Sequence, residues 1–206
     1  MKTINEISSY EIVIDKSRFI TTLFPVKNLE EVNEILANTR KKYYDATHNC
    51  YAYIIGQDAS ISKCSDDGEP SKTAGAPMLN VLQKNELTNI LAITTRYFGG
   101  ILLGAGGLVR AYSNSVIEAI NHTTLFEIVE LQKVLLSMDY PSYSLLSDEL
   151  NKFDVLSQRF SESVDIRVGI PLDLLSKFQV LFENVTRGKA IFKLDNIYHG
   201  IQKTKF

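Results

Sequence analysis

Three segments in the first 112 residues carry the side chains with the most chemical potential. Residues 45–50 read DATHNC, residues 65–78 read SDDGEPSKTAGAPM, and residues 96–112 read RYFGGILLGAGGLVRAY. Together they supply a histidine, clustered carboxylates, two arginines and a run of glycines. Side chains of these types act as bases, bind ions or recognise a partner when the fold brings them together.

The second segment places three acids within four residues, at Asp66, Asp67 and Glu69. Such acids can be solvated, can bind a divalent cation, or can pair with Arg96 or Arg110 in the next segment. A magnesium ion usually takes one or two protein carboxylates together with substrate oxygens. Pairing with arginine is favoured over recognition of a partner, and metal-assisted chemistry is the least favoured of the three.

The third segment holds five glycines in nine residues, between a predicted buried strand and a predicted helix. Free amide N–H groups and the helix dipole would favour an anion near Gly106 and Gly107. The spacing matches neither the P-loop nor the dinucleotide fingerprint. Tight turns and close packing of the backbone explain the glycines equally well.

The first segment offers His48 and Cys50, whose side chains share one face of a regular strand. A histidine beside carboxylates can act as a general base, although a hydrogen-bonded structural role is favoured for His48. We do not expect Cys50 to be a nucleophile, because no third group is in place to orient the pair. We therefore predict no catalytic residue and one binding surface. It comprises His48, Asp66, Asp67, Glu69, Lys72, Thr73, Arg96, Gly99, Gly100, Gly104, Gly106, Gly107 and Arg110.

Composition excludes several other classes of protein. Hydrophobic residues make up 45% and charged residues 22% of the 206 positions, which is typical of a globular chain. The net charge is −2, with 12 basic and 15 acidic residues up to residue 130 and 10 and 9 after it. Neither part has the excess of a generally basic nucleic-acid binder, although a local basic patch is compatible with these counts. Two cysteines predict neither a disulfide framework nor a zinc ribbon, and no cofactor is expected.

The N-terminal residues carry charges where a signal peptide needs an apolar run, and no apolar stretch is long enough to span a membrane. We therefore expect a cytoplasmic protein without a membrane partner. The sequence leaves the oligomeric state open.

Hydrophobic periodicity predicts the elements that position the three segments. Strands are predicted at 10–14, 18–26, 47–56, 60–65, 89–97, 131–140, 155–161, 164–170 and 190–198. Helices are predicted at 29–43, 77–84, 107–122, 141–153 and 171–185. From residue 131 the order is β-α-β-β-α-β, which is the ferredoxin-like pattern. The chain is therefore predicted to be α+β, with domains at 1–130 and 131–206.

The ordered motifs DATHNCYAY, SDDGEPSKTAGAPM and TRYFGGILLGAGGLVRAY resemble the signature of the IMPACT family, in its bacterial YigZ/YvyE branch. The residues SRF at 17–19 fit the first motif of that family. The resemblance covers roughly residues 17–112, and the part from 131 is similar to the second domain of the branch.

The resemblance implies a left-handed βαβ N-terminal domain, similar to domain IV of elongation factor G and to a ribosomal protein. It implies a ferredoxin-like C-terminal domain similar to domains III and V of elongation factor G. Left-handed crossovers are exceptions to the usual rule.

The implied function is regulation of translation or of a stress response, by binding RNA, the ribosome or a protein partner. The alternative is an enzyme acting on a phosphorylated small molecule, with a magnesium-assisted, glycine-rich anion site. An enzyme is the less favoured of the two, because the sequence lacks a complete catalytic set.

Overall fold

The computed structural model describes residues 1–56 and 58–203, which form ten strands and five helices. The strands are β1 (Lys2–Thr3), β2 (Ser8–Ile14), β3 (Ser17–Pro25), β4 (His48–Ile55), β5 (Ile61–Ser65), β6 (Ile90–Tyr97), β7 (Phe126–Met138), β8 (Asp154–Phe160), β9 (Val164–Pro171) and β10 (Ile191–Lys203). The helices are α1 (Leu29–Lys42), α2 (Gly75–Lys84), α3 (Gly104–Asn121), α4 (Tyr140–Leu150) and α5 (Leu172–Thr186). The chain is thus a mixed α+β protein, as predicted.

The chain divides into two compact units, one built from residues 1–127 with Lys203 and the other from residues 128–202. The predicted border at residues 130 and 131, as a border between separately folding domains, stays a prediction. The last three residues of the predicted second domain lie outside the described part. No helix among the described residues has the length and apolar character needed to cross a membrane.

The first unit is built on an antiparallel sheet with the strand order β2-β3-β6-β4-β5. The first two predicted strands form a hairpin, since β2 pairs with β3 from Ser8 opposite Leu23 to Ile14 opposite Ser17. Asp15 and Lys16 link the two strands, and both have positive φ. That conformation matches the right-handed twist of a two-residue hairpin.

Helices cover both faces of this sheet. On one face α2 and α3 enclose a core that includes Phe19, Leu23 and Tyr112. On the other face α1 covers a smaller core that includes Val26 and Leu91. Helix α1 begins where predicted, because the Asn28 side chain accepts a hydrogen bond from the amide of the third helical residue.

The second unit has β10, β7, β9 and β8 side by side in one sheet. Its buried positions alternate along β7 and β9, and α4 and α5 contribute to the same core. Phe178 and Phe182 of α5 lie at the centre of an aromatic cluster with Phe153 and Phe192.

Several predicted element ends differ from the structure, and three of the differences have a clear physical reason. Helix α3 begins at Gly104 rather than residue 107, so Gly104 and Gly106 lie in its first turn, where the N–H groups have no intrahelical acceptor. Strand β7 begins at Phe126 rather than residue 131, because its first residues pair with the distant β1. Strand β10 continues past residue 198 to Lys203, since Gly200 leaves room for the side chain of Leu131 instead of ending the strand.

The core of the second unit predicts a large difference between two leucine truncations. Leu136→Ala removes a fully buried side chain and should lower the free energy of unfolding by about 2–5 kcal/mol. The matched control Leu145→Ala, at 74% exposure, should change it by less than about 0.5 kcal/mol. Urea unfolding measures both. Equal effects would contradict the packing described for β7.

Candidate functional site

Strand β6 brings the first and third motifs together. In the sheet register Arg96 lies directly opposite Phe19 on β3 and directly opposite His48 on β4. Residues directly opposite one another point their side chains to the same face. Phe19 belongs to the core beneath α2 and α3, so Arg96 and His48 project towards those helices.

The second motif contributes Glu69 to this face. Its Oε1 atom accepts a hydrogen bond from Nη1 of Arg96 at 2.6 Å and another from the hydroxyl of Tyr112 at 2.7 Å. Glu69, Arg96 and Tyr112 are all buried. Burial first, and then the neighbouring Cys50 and Glu69, raise the pKa of the Tyr112 hydroxyl, which therefore stays a donor at any physiological pH. One carboxylate thus ties a loop, a strand and a helix together.

The rest of the Arg96 guanidinium has few partners. Its Nη2 atom is 3.5 Å from the hydroxyl of Ser17, and its carbon lies over the rings of Phe19 and Phe98 at 5.3 and 5.7 Å. Its Nε atom is buried and has no hydrogen-bond partner among the described residues. An unpaired buried donor is rare and calls for an explanation.

Asp66 holds the loop against the start of α2. Its two carboxylate oxygens accept hydrogen bonds from the amides of Lys72, Ala74 and Gly75 at 2.7, 3.0 and 2.8 Å. Helix α2 has no side-chain cap at Ala74, so Asp66 supplies from a distance the negative charge that a helix N-terminus favours. Thr73 is buried and donates its hydroxyl hydrogen to the Pro70 carbonyl.

Asp67 and His48 fix each other through backbone groups. The Asp67 carboxylate accepts from the amide of Asn49 at 2.7 Å and from the exposed Arg40 at 3.3 Å. Nδ1 of His48 donates to the carbonyl oxygen of Asp67 at 2.8 Å. The ring is therefore held with its other nitrogen, Nε2, turned towards Oε2 of Glu69 at 3.9 Å.

Cys50 lies inside this arrangement and is fully buried. Its thiol donates to the carbonyl of Asp66 at 3.0 Å and lies 3.3 Å from the hydroxyl of Tyr112. Burial, more than the neighbouring acids, raises its pKa to about 12. Burial and the raised pKa keep this thiol protonated, whereas the thiolate is the nucleophilic form of cysteine.

The glycines of the third motif have different structural roles. Gly99 packs against the backbone of Lys16 so closely that a Cβ atom would overlap it, and its amide donates to the hydroxyl of Ser17 at 3.1 Å. Gly100 and Gly104 have positive φ and open space around them. Gly107 lies against Leu103, where a Cβ would come within 2.9 Å of another Cβ.

A pocket of about 350 Å³, here called the motif pocket, opens beside these groups. His48, Glu69 and Arg96 supply its charged and titratable lining. Its apolar walls are Phe98, Leu102, Leu103 and Leu108, and the start of α3 at Gly104 and Ala105 completes it. A second cavity of about 480 Å³ lies against α1, and none of the predicted site residues lines it.

The structure divides the predicted site residues into three groups. Those that line the motif pocket are His48, Glu69, Arg96 and Gly104. Those that shape the loops or helix ends around it without lining it are Asp66, Asp67, Thr73, Gly99, Gly100, Gly106 and Gly107. Lys72 and Arg110 are exposed and do not line the pocket, and no acid pairs with the side chain of Arg110 among the described residues.

Sequence reasoning missed several residues of the site. Tyr112 is not among the predicted site residues, yet its hydroxyl donates to Glu69. The predicted site also lacks Leu102, Leu103 and Leu108, which line the pocket, and Leu102 is 87% exposed. No local signal identifies them, because their role depends on the turn that brings α3 over the sheet.

A metal site is not evident among the described residues, where no group of three or more His, Cys, Asp or Glu side chains is placed to hold an ion. The oxygens of Asp66 already accept three amide hydrogen bonds, and Glu69 neutralises Arg96. Of the alternatives open for the acidic loop, the structure shows structural pairing. Glu69 pairs with Arg96, Asp67 pairs with Arg40, and Asp66 accepts from backbone amides. None of the three pairs with Arg110 among the described residues.

Comparison with known proteins agrees with this architecture. The family model described as the Impact N-terminal domain matches residues 15–120. The IMPACT family member YvyE of Bacillus subtilis is 42% identical over 193 residues, covering 93% of this chain and 89% of that protein. The IMPACT family member YigZ of Escherichia coli is 34% identical over 179 residues, covering 85% and 88%.

A solved crystal structure of a hypothetical protein superposes with a TM-score of 0.60 at 30% sequence identity, over 95% of this chain and 97% of that one. The fold and the buried carboxylate–guanidinium pair thus define a two-unit α+β protein whose three motifs surround a pocket in the first unit. The chain belongs to the IMPACT family, as its motifs indicated.

The hydroxyl of Tyr112 should contribute measurably to stability. Tyr112→Phe leaves the Glu69 carboxylate with one hydrogen bond fewer in a buried environment, and we expect a loss of about 1–3 kcal/mol. Tyr44→Phe, at 85% exposure, is the control and should be neutral. Chemical denaturation of the two variants decides the point. An unchanged midpoint for Tyr112→Phe would mean that this contact does not stabilise the fold.

Two glycine substitutions should have opposite effects. Gly99→Ala forces a Cβ into the backbone of Lys16 and should destabilise the hairpin. Gly106→Ala meets only the mobile end of the Arg110 side chain at 3.7 Å and improves helix propensity, so it should be neutral or stabilising by up to about 1 kcal/mol. Thermal unfolding of both variants measures the direction of each change in stability. A stabilising Gly99→Ala would contradict the close approach.

Proposed function

We propose that this protein regulates translation by binding RNA or the ribosome in the cytoplasm, through the exposed rim of the motif pocket. The proposal rests on one observation, which is that most of the charged motif side chains are already engaged in structural contacts. Asp66, Asp67, Glu69 and Arg96 hold one another and the backbone, while the thiol of Cys50 is sealed. The motifs therefore build a rigid shape for recognition rather than a set of free catalytic groups.

The exposed groups around that shape suit a nucleic acid. Lys72 and Arg110 are exposed cations, and Phe98 exposes 46% of its surface beside the pocket. Cations that follow a phosphate backbone, together with an aromatic ring on which a base can stack, are the usual parts of a single-strand binding surface. Arg96, which the sequence placed among the contacting residues, is buried and supports the surface from below.

The family and the fold support the same role. The resemblance to the IMPACT family implies regulation of translation, and this chain shares the motifs on which that resemblance rests. The second unit has the element order β-α-β-β-α-β expected of a ferredoxin-like domain. In the first unit β3 and β4 run parallel on either side of β6, with α1 between them in sequence, as a βαβ unit requires. Two modules similar to elongation factor domains favour a ribosomal partner by analogy of fold.

A protein partner is the second form of this proposal. Leu102 is 87% exposed and Ile101 is also exposed, and such residues occur in protein interfaces. The enzyme alternative, with magnesium held by the acidic loop, requires Asp66 to leave its three amide donors. That loss would open the start of α2, so we favour binding over catalysis.

The basic rim predicts how RNA binding responds to salt and to mutation. Single-stranded RNA should bind at low salt, with an affinity that falls steeply as salt rises. Lys72→Gln and Arg110→Gln should each weaken binding and reduce the salt slope by about 0.7, the value for one phosphate contact on a single strand. Fluorescence anisotropy over a salt series measures both quantities.

The control is Lys84→Gln, which removes the same charge at the other end of α2. It should leave the slope unchanged. If RNA and ribosomes fail to bind even at low salt, the RNA form of the proposal is wrong. Equal effects of all three substitutions would show that general charge, rather than the rim, drives binding.

A further inference from the structure

The start of α3 presents unused hydrogen-bond donors to the motif pocket. Leu103 at the N-cap offers no side-chain cap, and no described residue accepts from the amides of Gly104, Ala105 or Gly106. The amides at a helix N-terminus favour an anionic group. Independently, Arg96 lines the same pocket, is 5% exposed and keeps a buried Nε donor without a partner among the described residues. Both observations indicate a ligand group that accepts hydrogen bonds.

The same pocket also presents unused acceptors. Oε1 of Glu69 carries both hydrogen bonds of that carboxylate, so Oε2 accepts none among the described residues. Nδ1 of His48 donates to a carbonyl, which leaves Nε2 as an acceptor in the neutral ring. These two acceptors lie 3.9 Å apart and both residues line the pocket. A ligand that donates hydrogen bonds, and that carries positive charge, fits between them.

The charges and walls of the pocket limit further which class of ligand can bind there. Arg96 and Glu69 neutralise each other, and the helix end adds roughly half a positive charge. A phosphate dianion would lie near Glu69 without a full opposing charge, whereas a zwitterion leaves the net charge of the pocket unchanged. The remaining side chains are apolar, including Phe98, Leu102 and Leu108, except for Thr47, whose hydroxyl oxygen already accepts from the amide of Phe98. The volume of about 350 Å³ is at the small end of ligand sites.

We propose that the motif pocket binds a free α-amino acid with an apolar side chain. The α-carboxylate accepts hydrogen bonds from the amides at the start of α3 and from the guanidinium of Arg96. The α-ammonium donates to Oε2 of Glu69 and Nε2 of His48. The aliphatic side chain lies among the leucines and Phe98. This inference goes beyond the proposed role in translation and does not depend on it, because ligand binding is measured on the isolated protein.

Three probes of one carbon skeleton test the assignment on the full chain by isothermal titration calorimetry. L-leucine carries both charged groups, 4-methylpentanoate lacks the ammonium, and 3-methylbutylamine lacks the carboxylate. We expect L-leucine to bind at least about ten-fold more tightly than either analogue, since each lost charged hydrogen bond to a buried partner costs about that factor.

A charge placed at the helix end tests the carboxylate site. Ala105→Asp adds an acid to the first turn of α3, where it favours the helix but competes for the amides. It should weaken L-leucine binding more than ten-fold without lowering the midpoint of thermal unfolding. Asn114→Asp is the matched control, because it adds the same charge to an exposed position farther along α3. It should bind as the wild-type protein does.

A substitution of the histidine tests the ammonium site. In His48→Asn the amide nitrogen can still donate to the Asp67 carbonyl, but Nε2 is lost. The variant should bind L-leucine about ten-fold more weakly and 4-methylpentanoate as before. If the affinity for both probes falls equally, the ammonium assignment is overturned.

Two further outcomes would overturn the proposal. One is the absence of L-leucine binding at concentrations up to about 10 mM, which is weaker than useful recognition. The other is 4-methylpentanoate or inorganic phosphate binding as tightly as L-leucine, which would make the pocket a simple anion site. Because none of these measurements involves RNA, their failure is distinguishable from failure of the proposed role in translation.

Discussion

The buried pair of Glu69 and Arg96 is the constraint on which the first unit depends. Removing one member of such a pair leaves an uncompensated charge in the interior and typically costs about 3–5 kcal/mol. The pair joins the acidic loop to β6, and the hydroxyl of Tyr112 adds α3 to the same carboxylate. Distant motifs are therefore parts of one arrangement, since none can move without exposing or unpairing a charge.

This constraint explains why residues of types often found in catalysis have structural roles here. Asp66 holds the start of α2, Asp67 holds the strand at Asn49, and His48 is oriented through the Asp67 carbonyl. What remains free is a small set of donors and acceptors around one pocket. A site built in this way is pre-organised, so a ligand loses little free energy to ordering when it binds.

The sequence was sufficient for most of the fold because its local signals agree with its tertiary contacts. The Asn28 cap and the apolar period of α1 are local, and the structure has the same helix. The start of β7 and the end of β10 depended on contacts with Lys2 and packing against Gly200, which no local pattern contains. In the site, charge complementarity indicated pairing of the acids with arginine. To predict which acid pairs with which arginine, and which leucines line the pocket, the three-dimensional register of β6 was needed.

A double-mutant cycle between Glu69 and Arg96 measures whether this buried pair holds the motifs together. The free energies of unfolding of Glu69→Gln, Arg96→Met and the double variant give the coupling between the two side chains. We expect the double variant to be more stable than the sum of the single losses implies, with a coupling of about 1.5 kcal/mol or more. Additive losses would contradict the claim that this pair holds the motifs together.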